Sequence, residues 1–172
     1  EGRIKNARLR EHFFTRVYNQ SAFRELTDNY SLSSFIRFHT VHKYLYMAYR
    51  PCILKKMGRL VAAAKKTDKD TILTTYQQYI QEMFSLPPRI PSIINALQHC
   101  FGYFSKKLNN LEREYFLDQL KLYREKRIPF STILSLMKAW VIRFQDPYLL
   151  EQKLFSPYPE ELINLNDSGK VE

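Results

Sequence analysis

Apolar residues recur at three- and four-residue spacing almost throughout this chain, and sustained alternation of the strand kind is absent. The pattern predicts an all-α fold, a single compact helical domain of about seven to eight helices. Asn6 is placed to cap a first helix with the apolar stripe Leu9, Phe13, Val17 and then Phe23 or Leu26, ending near Asp28. Ser31, Ser33 and Ser34 start a second, running to about Arg50. Pro51 suits the first turn of a third, reaching about Ala64, because its missing N–H would be unsatisfied there anyway. Thr67 and Asp70 resemble a capping box for a fourth, which Pro87 and Pro88 end. Pro91 opens a fifth helix, predicted to reach Leu108. Asn109 with Glu112 signals a sixth, to about Lys126, and Pro129 precedes a seventh built on Ile133, Leu136, Met137 and Trp140. Asp146 and Pro147 start a short eighth, ending near Phe155. No repeat period runs through the chain, which excludes a solenoid.

Composition fits this picture. At 172 residues the chain is one domain by length, and a domain near this size buries about 70% of its unfolded surface. An apolar content of 45% with four Gly and eight Pro predicts a folded chain rather than a disordered one. No apolar run approaches the roughly 20 residues of a membrane span, and the opening Glu-Gly-Arg lacks the apolar stretch of a secretory signal, so the expected setting is cytoplasmic, with no membrane partner. The polar start without Met reads as a piece cut from a longer protein, with residue 1 as a domain boundary, and the stretch 164–172 reads as a frayed polar end. Cys52 and Cys100 carry no pairing motif and read as small core residues; two thiols fall short of the about four ligands an iron–sulfur cluster takes.

Charge changes the picture most. Between Asp28 and Asp68 there is no acidic residue, yet the window holds Arg37, Lys43, Arg50, Lys55, Lys56, Arg59, Lys65 and Lys66, in a chain of net charge +10. The same window is rich in rings, which predicts an ordered basic surface and a polyanionic partner. On a helical wheel of residues 33–50, Phe35, Phe38, Leu45 and Tyr49 form the buried face with His42 inside it, while His39, Lys43, Tyr46 and Arg50 line one polar flank. The fifth helix repeats that spacing: Ile93, Leu97, Cys100, Phe104 and Leu108 face the core, and Asn95, His99, Gly102 and Lys106 form a stripe. Two such stripes bordering a groove would suit single-stranded or looped RNA, with Lys and Arg on phosphates and His and Tyr on bases.

Plainer readings stand beside these. A basic helical flank is commonly a solvated face, His42 on an apolar face reads as a satisfied core residue, and Gly102 reads first as a site of close helix packing. His39, His42 and His99 offer three imidazoles, but no carboxylate lies close by in sequence and the HExxH pattern is missing, so no metal is assigned. Cys52 follows Pro51 at a helix start, where a thiol can be activated, yet no base is spaced to complete a triad, and glycine-rich phosphate loops are absent.

Several runs occur together in one order: Phe38-His39-Thr-Val-His42-Lys43-Tyr44-Leu-Tyr-Met-Ala-Tyr49, Gly58-Arg59-Leu60-Val61-Ala62, Asn95-Ala-Leu-Gln-His99-Cys-Phe-Gly102-Tyr103-Phe104, Tyr123-Arg124-Glu-Lys-Arg-Ile128-Pro129, Pro147-Tyr148-Leu-Leu-Glu-Gln152 and Pro157-Tyr158-Pro159-Glu-Glu-Leu162. With them the chain resembles the YbgA-like family of uncharacterised helical domains, over about residues 30–165. The resemblance implies a linker and first helix over 1–30, the YbgA-like domain over 31–165 and a polar tail over 166–172. In that family the domain stands alone or follows an N-terminal half that resembles a thiouracil or 2-thiouridine desulfurase. By resemblance, any iron–sulfur cluster belongs to such an associated N-terminal domain and this chain carries no cofactor.

The resulting expectation is a non-catalytic, auxiliary RNA-binding domain, with tRNA as the partner and an intramolecular iron–sulfur desulfurase domain as its neighbour. Lys43, Arg50, Lys55, Lys56, Arg59, Lys65, Lys66 and Lys106 would neutralise phosphates, and His39, Tyr46, Asn95, His99, Gly102 and Tyr103 would contact a base or ligand. One alternative is an enzyme on a modified base or nucleotide with His39 and His99 as acid and base. Another is a structural module that packs on the iron–sulfur domain.

Overall fold

Short polar side chains and prolines set the helix starts in the computed structural model, which describes residues 6–162. Helix α1 (Ala7–Asp28) begins at Asn6, whose side chain accepts from the Leu9 N–H at 3.1 Å. Helix α2 (Leu32–Tyr49) opens on a capping box between Ser31 and Ser34, and α3 (Pro51–Ala63) carries its proline in the first turn. They are followed by α4 (Lys69–Met83), α5 (Ile90–Phe101), α6 (Asn110–Arg124), α7 (Phe130–Phe144) and α8 (Pro147–Leu150), with 3-10 turns at Ser105–Lys107 and Glu160–Leu162. Among the described residues there is no strand, and the fold is all-α. No helix among them is long and apolar enough to cross a membrane. The boundary expected at residue 1 and the tail at 166–172 lie outside the described residues.

Four local expectations are corrected. Helix α4 is capped by Asp68, which accepts from the Thr71 N–H at 3.0 Å, while the Thr67 hydroxyl donates back to the Ala63 carbonyl. Helix α5 stops at Phe101, not Leu108, yet Phe104 and Leu108 remain buried; the apolar period outlasts the helix because turns deliver the same side chains inward. Helix α8 is a single turn for the same reason, with Leu154 and Phe155 buried beyond its end. In α1 the first part of the expected stripe faces out: Leu9, Phe13 and Val17 are exposed, whereas Phe23 and Leu26 are buried as expected and share the inner face with Thr15 and Asn19.

Helix α2 explains that last inversion. It stands between two apolar clusters, giving Phe35, Phe38, Leu45, Tyr46 and Tyr49 to one with α1, α3 and α4, and Tyr44 and Ala48 to the other with α5, α6 and α7. From His42 onward almost every residue is buried or half-buried, so its polar groups need partners from neighbouring elements. Asn19 supplies one, its Nδ2 donating to the Tyr46 hydroxyl at 3.0 Å. Tyr76 of α4 is also bonded to Tyr46, and the Tyr76 oxygen lies 3.0 Å from His39 Nδ1. Gln152, 2% exposed, reaches between Thr40 and Tyr44, donating to the carbonyl of the first at 2.9 Å and accepting from the N–H of the second at 3.3 Å. Those two groups are each other's usual partners in a helix, so Gln152 braces that turn of α2 from outside.

Tyr46→Phe should therefore strand the buried Asn19 amide and cost about 1–3 kcal/mol in urea unfolding; an unchanged midpoint would contradict this account of the core. The two imidazoles on α2 generate a pH dependence. Burial, aided by the Lys43 charge, holds His39 at about 4 against an ordinary 6.5. Burial does the same to His42, about 4, against the opposing hydrogen bond to the Phe38 carbonyl. The unfolded chain takes up protons near 6.5 and the folded one only near 4, so stability rises with pH across that window and is lost on acidification through it. Urea midpoints followed from neutral pH downward should fall less steeply for His39→Gln and His42→Gln than for the wild type.

Candidate nucleic-acid interface

The exposed side of α3 is the clearest charged surface. Cys52, Lys55, Lys56 and Arg59 lie at i, i+3, i+4 and i+7, all exposed, opposite the buried Ile53 and Met57. Lys65 and Lys66 extend the charge, exposed in the turn that follows. Among the described residues no carboxylate lies within ion-pair distance of these five cations. Lys56 lies 5.9 Å from the centroid of the Tyr79 ring on α4, which ties the α3 face to α4 without cancelling its charge. The exposure of Cys52 corrects the expectation that it belongs to the core, whereas Cys100 is fully buried and its thiol is pushed up by burial.

The remaining phosphate candidates are spread out. Arg50 turns to the end of α4 and donates from Nη2 to the Ser85 hydroxyl at 2.8 Å. Lys43 is half-buried, 5.5 Å from the Tyr44 ring centroid, and its charge bears on both His39 and Cys100. Lys106 is exposed in the 3-10 turn after α5. Since α3 and α5 both pack on α2 and share little contact, Lys106 does not extend the α3 stripe.

The base-contact candidates divide further. Tyr46 is corrected: at 0% exposure it is a core residue bonded to Asn19 and Tyr76, because α2 is walled on the side that the wheel treated as a polar flank. His39 is half-buried; Nε2 looks toward α3, where a Cβ on Gly58 would come within 3.9 Å, an ordinary contact. Asn95 is half-buried, and His99 and Gly102 are exposed on the side of α5 away from Ile93, Leu97 and Cys100. A Cβ on Gly102 would meet the His99 carbonyl of its own helix at 3.3 Å and no other element, so close packing of a second helix is not its role. Tyr103 is 42% exposed, accepts from the Tyr44 hydroxyl at 3.2 Å and stacks on Tyr148 with centroids 5.6 Å apart.

His39 and His99 are not brought together. The first bonds to α4 and faces α3, the second lies on the outer side of α5, and no hydrogen bond or ring contact joins them. The expected groove between the two polar stripes does not follow from these positions. Three residues that periodicity did not single out are placed where ligand chemistry is available: Asn19, Lys153 and Tyr158 line a cavity with His42. Among the described residues no group of three His, Cys, Asp or Glu side chains is arranged to hold a metal ion.

The chain is similar to a protein called "Uncharacterized protein YbgA" from Escherichia coli (strain K12), with 25% identity over 163 residues, covering 94% of this chain and 86% of that relative. No solved structure matches it. The model of the family described as "Protein of unknown function (DUF1722)" matches residues 43–159, from Lys43 in the middle of α2 to Pro159 beyond α8. That match spans most of the helical domain, with one core cluster whole and the larger part of the other, and the chain belongs to this family.

Proposed function

We propose that this domain binds RNA through the α3 face, as an auxiliary rather than a catalytic unit. The supporting observation is the group Lys55, Lys56, Arg59, Lys65 and Lys66, exposed on α3 and the turn after it, with no carboxylate within ion-pair distance among the described residues. Like charges on adjacent turns repel and destabilise a helix slightly, so their accumulation is best understood through a partner that supplies the missing anions. Single-stranded or looped RNA fits better than a duplex groove, because rings such as Tyr79 and the half-buried His39 adjoin the cations and offer stacking or hydrogen bonding to unpaired bases. The resemblance to domains that accompany desulfurases makes tRNA, including thiolated tRNA, the first RNA to try, and an iron–sulfur desulfurase domain the first partner to look for.

The enzyme reading built on His39 and His99 has no support from their placement. If the five α3 cations each neutralise one phosphate, log affinity for RNA should fall against log salt with a slope of roughly −3.5 to −4.5. The triple variant Lys55→Ala, Lys56→Ala, Arg59→Ala should weaken binding and flatten that slope by about two to three. Fluorescence anisotropy with bulk tRNA from low to physiological salt reads both quantities; salt-independent binding, or a triple variant indistinguishable from wild type, would overturn the proposal.

A further inference from the structure

Between α1, α2 and the segment 153–159 lies a cavity of about 360 Å³, within the about 300–1,000 Å³ usual for small-ligand sites. His42 forms part of its wall. The ring is 4% exposed, held between Phe38 and Tyr46 at centroid distances of 4.2 and 5.5 Å, and Nδ1 donates to the Phe38 carbonyl at 2.8 Å. That bond fixes the tautomer and leaves Nε2 a neutral acceptor. Among the described residues no group hydrogen-bonds Nε2, and since no buried side-chain nitrogen or oxygen there is left unpaired, this atom is the accessible edge of the ring, open to the cavity.

At the rim stands Lys153. Its backbone N–H donates to the Val41 carbonyl at 2.8 Å, which pins the residue to α2, while its ammonium has no carboxylate within ion-pair distance among the described residues and its charge reaches His42. Tyr18 and Tyr158 add aromatic wall, and Leu45 adds apolar surface. A deep acceptor, an aromatic wall and a cation at the mouth define their ligand: a planar ring that donates an N–H at one end and carries an anion at the other.

We infer that this cavity takes one nucleotide, base inward toward His42 Nε2 and phosphate outward on Lys153. The choice of a nucleotide over other ring-bearing anions rests on the RNA-binding reading, but the cavity and its residues are separate from the α3 face. The unit is either a free mononucleotide or a base turned out of an RNA strand, and both sources offer the same chemistry.

Isothermal titration of the full chain with UMP, GMP, AMP and CMP, and with the matching nucleosides, tests this. At least one monophosphate should bind, more tightly than its nucleoside. Lys153→Ala, an exposed change, and His42→Phe should each weaken it by about tenfold, the effect of losing one hydrogen bond to a charged or buried group. Ala22→Leu, which fills the cavity without touching a polar atom, should abolish binding, and the α3 triple variant should leave it unchanged; circular dichroism checks each fold. No binding of any monophosphate at millimolar concentration, or binding that ignores all three cavity variants, overturns the inference. If that failure comes with salt-dependent tRNA binding intact, the α3 reading survives alone. A single-stranded oligoribonucleotide that competes with the monophosphate identifies RNA as the source. A monophosphate held in the cavity with no competition and no tRNA binding identifies a free nucleotide and removes the RNA reading.

Discussion

The rest of the structure depends on the desolvation of α2 from both sides. A helix that touches one core can turn its polar groups to water, but α2 separates two cores and keeps only a narrow strip for solvent. Each buried group left without a partner would cost about 1–3 kcal/mol, and a domain has only about 5–15 kcal/mol to lose. The fold meets this constraint from three distant parts of the chain: Asn19 from α1, Tyr76 from α4 and Gln152 from beyond α8. The same burial keeps both imidazoles of α2 neutral, with His39 held at Tyr76 and His42 at the Phe38 carbonyl.

The local level of this architecture is legible in sequence, and the long-range level is not. Caps are decided within four residues, so Asn6, Ser31, Asn109 and Asp146 mark their helices correctly. The end of α5 is less visible because Phe104 and Leu108 continue the helical period from non-helical backbone. The inward face of α1 is invisible to periodicity: Thr15 and Asn19 look solvent-facing, and only partners 27 or more residues away make their burial affordable. The candidate site divides in the same way. The α3 cations are readable from an acid-free window and a helical repeat, whereas Tyr46 as core, and Lys153 and Tyr158 as cavity wall, depend on which elements close over α2.

The distribution of charge separates surface function from surface stability. Ion pairs join Arg37 to Glu151, Arg143 to Glu112, Lys138 to Glu160 and Arg127 to Glu125. Exposed pairs of this kind contribute about 0–1 kcal/mol each, so they do little to hold the fold, but they cancel the field locally. Arg37 is the only cation of the acid-free window treated this way among the described residues, and it sits on α2 well away from the α3 face. The cations of α3 are left to act together, over distances set by a screening length of about 8–10 Å.

The bonding pattern gives the two α2 imidazoles the same orientation. His42 donates from Nδ1 to the Phe38 carbonyl. His39 likewise uses Nδ1, which lies 3.0 Å from the Tyr76 hydroxyl. Tyr46 receives from Asn19 Nδ2 and directs its own proton toward Asn19 Oδ1 at 3.4 Å. Each ring therefore points Nδ1 inward and turns Nε2 outward, that of His42 as an acceptor toward the cavity beside α1 and that of His39 toward Gly58 on α3. A ring fixed as acceptor, and too desolvated to charge near neutral pH, favours a partner that donates a hydrogen bond over one that merely brings negative charge. On the His42 flank of α2 the cation, Lys153, then has the separate task of meeting phosphate, and neutral acceptor and exposed cation divide the labour there.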